Sequence, residues 1–325
     1  MPVHFGNPAM FALALLWLMW GGGMRAHAQS LAGVATSAPL VFRIGHITGD
    51  PESPLGGDVL YALRDALVSS PLVQQAMREA NVGAIAVLSS DSHQDLIQRM
   101  DQNEFDLVFC SSVDFVQQNG DYEAVFQLRR PRDSFDPNGG RVFHRGVVFV
   151  NNRSPLFSDE ITSDRLGAYL SGREIAMVGS FSAAGYIYPL LKIAALPGQR
   201  PPPISMFCDS SEEVVKNVVN GAAEIGACDG GVIEEVLARN GLAEERNRLV
   251  RIVMETDPIP TEPVALRANW LPRGSAFGRE LRDALRQFFA RDNKLPRLQN
   301  SSRDKFLDLK QNLQNFRDGR RTGSY

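Results

Sequence analysis

Residues 141–152 read "RVFHRGVVFVNN", and the reading of this run decides the fold. Its apolar, β-branched stretch reads as a buried strand. Directly before it stands "PRDSFDPNGG" (131–140), polar and rich in Pro and Gly, which reads as a loop near a domain crossing. Upstream of that loop, strands alternate with helices, and downstream the same alternation starts again. The run is therefore expected to be one long strand that begins a second α/β unit.

Working toward the N-terminus, "LVFRIGHI" (40–47), "VGAIAVLSS" (82–90), "FDLVFC" (105–110) and "EAVFQLRR" (123–130) read as strands. Between them, "GDVLYALRDALVSSPLVQQAMREA" (57–80) and "SHQDLIQRMDQNE" (92–104) have helical spacing, with Leu60, Leu63 and Leu67, then Leu96, Ile97 and Met100, facing inward. "VDFVQQNG" reads as a short helix with a Gly stop. Toward the C-terminus, "EIAMVGS", "PISMFCD" and "AEIGACDGG" are strands, separated by the helical "AAGYIYPLLKIAAL" and "SEEVVKNVVNG". "LVRIVMET" (249–256) reads as a second crossing strand that returns the chain to the first unit. "DPIPTEPVALRANW", an amphipathic segment with Leu281, Leu285 and Phe288, and "DKFLDLKQNLQNF" complete that unit, and the basic end "RDGRRTGSY" reads as frayed.

The expected fold class is α/β with two lobes, each a mostly parallel sheet flanked by helices, joined by two hinge crossings. Residues 40–140 and 250–325 form lobe 1 and residues 141–249 lobe 2. This plan suits hinge closure on a ligand, and in such sheets ligands collect beyond the carboxyl ends of the strands.

The N-terminal "AMFALALLWLMW" (9–20) has the length of a signal peptide's apolar region. Ala26 and Ala28 then supply a small-x-small cleavage site after Ala28, so residues 1–28 are expected to be removed and the protein to be periplasmic. The removed piece carries one charged group, Arg25, so the formal net charge moves from -3 to -4. That mild acidity argues against a nucleic-acid partner. Three cysteines are too few for a disulfide scaffold.

Four strand ends carry chemistry. His93 opens the helix after the second strand. Cys110, Ser111 and Ser112 close the third. Ser180 and Ser182 precede a helix whose free N–H groups favour an anion. Cys208, Ser211, Cys228 and Asp229 sit at the ends of the second unit's later strands. Each has a bland alternative: helix capping for Ser182 and Ser211, a solvated first-turn position for His93, a turn contact for Asp229, and a small buried hydrophobe for Cys110. Cys208 and Cys228 are either a disulfide or two free thiols. If another strand lies between theirs they start about 10 Å apart, beyond the roughly 7 Å that a disulfide spans. No phosphate loop, dinucleotide fingerprint, H-E-x-x-H or G-x-S-x-G motif occurs, and no cofactor is expected. A nucleophile pair of Cys110 with His93 or His144 is the enzyme alternative, set against a binding protein that is not an enzyme.

The order of elements resembles the phosphonate-type periplasmic binding proteins of ABC transporters. The resemblance runs from about 40 to 290 on "FDLVFCSSVDFV", "HRGVVFVNNRSPL", "SFSAAGYIYPLL", "VVKNVVNGAAEIGACDGG" and "PIPTEPVALR". It implies a type II two-lobed receptor whose ligand meets Ser180, Ser182, Gly185, Tyr186 and Asp229. Where that family carries a second and third hydroxyl this chain has Ala183 and Ala184. His93 and Cys110 replace aromatic positions, and Ser211 stands where histidine is frequent. Losing two donors to a charged oxygen removes about 1.5 to 3 kcal/mol each, which weakens the case for a phosphonate dianion. A thiol favours a soft ligand. Arsenite, neutral As(OH)3 near pH 7, fits, and the resemblance narrows to the branch of arsenite-binding proteins that report to a sensor histidine kinase. The expected site is therefore His93, Cys110 (as arsenic ligand), Ser111, Ser112, Ser180, Ser182, Gly185, Tyr186, Ser211 and Asp229. The partner is a sensor kinase's periplasmic domain or, on the transport alternative, an ABC permease that takes up phosphonate, phosphite or phosphate.

Overall fold

The computed structural model describes residues 38–50, 53, 55–129, 142–158, 160–197, 204–271, 275–292 and 294–321. The expected signal peptide, its cleavage site and the 131–140 loop lie outside them.

The first sheet is built from β1 (Leu40–Ile47), β2 (Val82–Ser90), β3 (Leu107–Phe109) and β4 (Tyr122–Arg129). Helices α1 (Gly57–Ser69), α2 (Pro71–Glu79), α3 (His93–Asp101) and α4 (Ser112–Gln117) connect them. The helical run 57–80 breaks at Ser70, whose hydroxyl accepts from Val73 N, with Pro71 at the first position of the next helix. Leu60, Leu63, Leu67, Leu96 and Met100 are buried as the spacing requires. Ile97 is only half-buried.

The long strand expected over 141–152 is interrupted at Arg145, giving β5 (Phe143–His144) and β6 (Gly146–Asn151). The second unit continues through α5 (Ser163–Leu170), β7 (Glu174–Val178), a π-helical turn (Ala183–Ile187) leading into α6 (Tyr188–Ala194), β8 (Ile204–Cys208), α7 (Ser211–Val219), β9 (Ile225–Asp229), α8 (Gly230–Arg239) and the short α9 (Arg246–Leu249). Next comes β10 (Val250–Glu255), which pairs antiparallel with β6 in the second sheet. This strand was expected to be the crossing back to the first lobe. Its ladder with β6 makes it a sheet strand of the second lobe, and the return lies beyond it. There β11 (Ile259–Pro260) pairs with β5, so the two crossings form a small antiparallel ribbon.

Back in the first lobe come β12 (Pro263–Arg267), α10 (Ala276–Arg291), β13 (Arg297–Asn300) and α11 (Leu307–Arg321). The sheet orders are β13-β4-β12-β3-β1-β2 and β10-β6-β9-β7-β8. β1, β2 and β3 run parallel, as do β7, β8 and β9, but β12, β13 and β6 run against their neighbours. Both sheets are thus mixed rather than mostly parallel: each crossing enters its sheet from the opposite end. On α10, Leu281 and Leu285 are buried as expected, while Phe289 takes the core position assigned to Phe288.

Burial alternates across the second sheet as strand geometry demands. In β6, Val147 and Phe149 join one apolar cluster and Val148 and Val150 the other. Cys208 and Cys228 both belong to the first of these clusters and are not joined in a disulfide. β7 lies between their strands, which keeps them apart by the spacing of two strand steps.

The segment expected to fray is helical through Arg321. α11 bridges the lobes. Arg317 reaches Gln117 at the end of α4 in the first lobe. Asn312 Nδ2 donates to Tyr188 Oη (3.2 Å) and Arg320 Nη1 to Tyr186 Oη (3.0 Å) in the second. Phe316 packs edge-on against Tyr186 at 5.7 Å.

Candidate ligand-binding cleft

The strand ends of both sheets meet at a cleft of about 500 Å³. Its first wall is the end of β1 (Ile47, Thr48, Gly49, Asp50) with the start of α3 (Ser92, His93). Its second is the end of β7 (Gly179, Ser180, Phe181, Ser182) with Asp209 after β8. Two small recesses adjoin it. One, of about 40 Å³, is lined by Asp50, Phe109, Cys110, Ser111 and Glu262. The other, of about 50 Å³, lies between Ser111, Ser112, Ser182, Ala183, Ala184, His144, Asp229 and Glu262. Ile47 and Asp50 line both the cleft and the thiol recess, and Ser111 and Glu262 line both recesses.

Cys110 continues the alternation of β3, so its side chain faces the same apolar cluster as Val108 while Leu107 and Phe109 face the other. It is 7% exposed. Burial, reinforced by the charges of Asp114 and Glu262, pushes its thiol well above the usual range, so it is protonated at neutral pH. Ser111 caps α4 reciprocally: its Oγ accepts from Asp114 N (3.1 Å) and its own N donates to Asp114 Oδ2 (3.2 Å).

Asp114, fully buried, also receives His93 Nδ1–H at 2.9 Å from Oδ2. An ionised carboxylate only accepts, so Nδ1 carries the proton and Nε2 is left for other partners. Burial works against a charge on His93, but the hydrogen bond and charge of Asp114, with the charge of Asp50, outweigh it and raise its pKa. The imidazole stacks on Phe181 across the cleft, with centroids 4.8 Å apart and planes at 8°.

On the opposite wall, Ser182 Oγ accepts from Gly185 N (3.0 Å) and caps the π-helical turn, a geometry that recurs at functional sites. The turn sits close to the hinge: a Cβ on Gly146 would lie 2.3 Å from the Ala184 carbonyl oxygen. Asp229 caps α8 through Gly231 N (3.0 Å) and accepts from His144 Nδ1 at 2.6 Å. That pair ties the hinge ribbon to a strand end.

Three of the expected residues point elsewhere. Tyr186 is 3% exposed, bonded to Arg320 and packed on Phe207 and Phe316, because a π-helical turn rotates it away from the cleft. Gly185 packs against Val178. Ser211 is 1% exposed with its Oγ accepting from Asp229 N (3.4 Å), and Ser210, not Ser211, caps α7. None of the three lines these cavities, whereas His93, Cys110, Ser111, Ser112, Ser180, Ser182 and Asp229 do. Asp50, Phe181, Asp209 and Glu262 were missed. Glu262 had a usable signal, a carboxylate between prolines in the "PIPTEPVALR" run.

The lining is electrostatically one-sided. Among the described residues, Asp50, Asp91, Asp209, Asp229 and Glu262 line these cavities and no Lys or Arg does. Among the described residues no group of three or more His, Cys, Asp or Glu side chains forms a metal site.

A two-lobed α/β chain with a cleft at its strand ends is the architecture of a solute receptor, and comparison with known proteins assigns its family. The model of the phosphonate periplasmic substrate-binding proteins of ABC transporters matches residues 72–312. The chain belongs to this family. It is a periplasmic substrate-binding protein of phosphonate type, and its fold is that of solved relatives. A Xanthomonas citri protein bound to chloride ion is 19% identical, with a TM-score of 0.59 over 86% of this chain and 99% of that one. A Prochlorococcus marinus protein in complex with methylphosphonate is 17% identical, with a TM-score of 0.56 over 88% and 99%. A binding protein component of an ABC phosphonate transporter from Pseudomonas aeruginosa is 15% identical, with a TM-score of 0.52 over 88% and 89%. The search of curated proteins finds no match.

Proposed function

We propose that this phosphonate-type binding protein takes arsenite, bonded through Cys110, and reports the closed state to the periplasmic domain of a sensor histidine kinase. The observation that supports the reading is the thiol recess: Cys110 with Asp50 and Glu262 in its lining, sharing Ile47 and Asp50 with a cleft among whose described lining residues no Lys or Arg occurs. A phosphonate dianion there meets repulsion of about 4 kcal/mol for each unit of its charge from each ionised carboxylate at about 4 Å in a medium of effective dielectric 20. Neutral As(OH)3 meets none, and the two hydroxyls it keeps after bonding sulfur donate to the same carboxylates. The protonated thiol is no obstacle. Sulfur bonds arsenic, one As–OH bond breaks, and that hydroxyl leaves with the thiol proton as water, giving Cys–S–As(OH)2.

A high thiol pKa also disfavours the enzyme alternative, which needs a thiolate.

Calorimetry tests the proposal. Wild type should bind arsenite, and Cys110→Ser should bind it at least about a hundredfold more weakly, as expected for losing a covalent contact worth more than about 2.7 kcal/mol. Undiminished binding by the variant removes sulfur from the recognition.

A second reading is a phosphonate, phosphite or phosphate receptor for an ABC permease. It is favoured by the Ser182-capped turn, which presents backbone N–H groups to the cleft, and by the methylphosphonate held in the related Prochlorococcus fold. Competition decides: methylphosphonate displacing arsenite at lower concentration hands the cleft to this reading.

A further inference from the structure

Away from the cleft, the far end of α4 borders a cavity of about 320 Å³, closed on its other side by the start of α11. Its floor is Phe115, which meets Phe306 edge-on at 5.0 Å. Arg303 and Lys310 stand at its rim, and no Asp or Glu lines it. Among the described residues neither cation takes part in an ion pair. Asn119 is already spoken for, since its backbone N donates to Asp101 Oδ1 at 2.6 Å. Gln118 is not: it lines the cavity, is 3% exposed, and among the described residues neither its Oε1 nor its Nε2 has a hydrogen-bond partner.

Each feature alone is ordinary. Exposed cations occur on every surface, and apolar grooves are common. A buried amide with both polar atoms unmatched is rare in native proteins and marks a place where a bound group belongs. Two unpaired cations, an aromatic floor and that amide occur together here. We propose that this cavity is a second binding site, for a small organic monoanion with a flat apolar body, such as an aromatic carboxylate. The ring lies against Val116 and Leu307, over the buried Phe115–Phe306 pair, the carboxylate takes hydrogen bonds from Arg303 and Lys310, and a rotation of the Gln118 side chain brings its Nε2 to the same carboxylate.

This site is separate from the cleft in chemistry as well as position, because the cleft lining is acidic and this one basic. It needs no assumption about which ligand the cleft holds.

Benzoate is the probe, titrated into the whole protein by calorimetry and by amide chemical-shift mapping. Expected are saturable one-to-one binding, shifts centred on residues 115–119 and 303–310, and weakening of about tenfold or more in R303Q/K310Q, the effect of removing charge-assisted hydrogen bonds. Both cations are exposed, so that variant should fold normally. Gln118→Leu removes the amide and should weaken binding further in the same direction. Cys110→Ser should bind benzoate as wild type does. The proposal is overturned by absence of saturable binding, which leaves the cavity as a hydration site. It is equally overturned by full retention of affinity in R303Q/K310Q, or by loss in Cys110→Ser, which moves benzoate to the cleft.

Discussion

The two walls of the cleft do different work. The first-lobe wall is made of side chains that titrate or bond covalently: Asp50, His93, Cys110 and Glu262, with Asp114 buried behind them. The second-lobe wall offers backbone and small groups, namely Ser180, the capped turn after Ser182, and the methyls of Ala183 and Ala184, together with Asp209, with Phe181, which is stacked on His93, and with Asp229, which is bonded to His144. A backbone cradle grips any compact oxygen-bearing ligand, so selectivity between ligands has to reside in the first wall. This contrast can be broken at either wall.

The largest effect belongs to the first wall. The loss of arsenite affinity in Cys110→Ser should exceed that of any single change on the second wall, and Ser182→Ala, measured alongside by calorimetry, should cost no more than about tenfold, the worth of one cap and one ligand hydrogen bond. Next comes a change meant to make the second wall selective. Ala184→Ser restores a hydroxyl facing the hinge-side recess and should improve methylphosphonate binding up to about tenfold while leaving arsenite nearly unchanged. An equal gain for both ligands would show that the walls are not divided as described.

The smallest effect concerns the contact that joins the walls. His93 stacks on Phe181, and its raised pKa means that the folded protein binds the proton more tightly than the unfolded chain does. Its stabilising contribution is therefore complete below the unfolded value of about 6.5 and fades as pH rises through the higher folded value. Denaturant unfolding of wild type and His93→Gln should show a stability gap that is widest near pH 5.5 and narrows toward pH 8, by about 1 kcal/mol or less overall. A gap that widens with rising pH contradicts the charged stack.

Much of this was legible in the sequence for a definite reason. Apolar runs ending in Ser, Cys or Asp mark strand ends, and in α/β sheets strand ends converge, so His93, Cys110, Ser182 and Asp229 could be named together. What periodicity cannot carry is direction and partnership. "LVRIVMET" reads as a strand in either lobe, and only its ladder with β6 places it in the second sheet. The SxS-A-A-G-Y run promises a helix start, yet nothing in it announces the π-helical turn that sends Tyr186 to α11 rather than to the ligand. Asp50 and Glu262 meet at one recess from distant parts of the chain, a contact that no local pattern encodes. The stripe Leu309, Leu313 and Phe316 announces a buried face on α11 without saying that two lobes share it.

That shared helix has a mechanical consequence. With Arg317 seated on one lobe and Asn312 and Arg320 on the other, α11 is a tie rod between the lobes, additional to the β5–β11 ribbon. Two bodies joined at two places have fewer ways to swing apart than two joined at one, so any opening of the jaw has to stretch or release the contacts of α11.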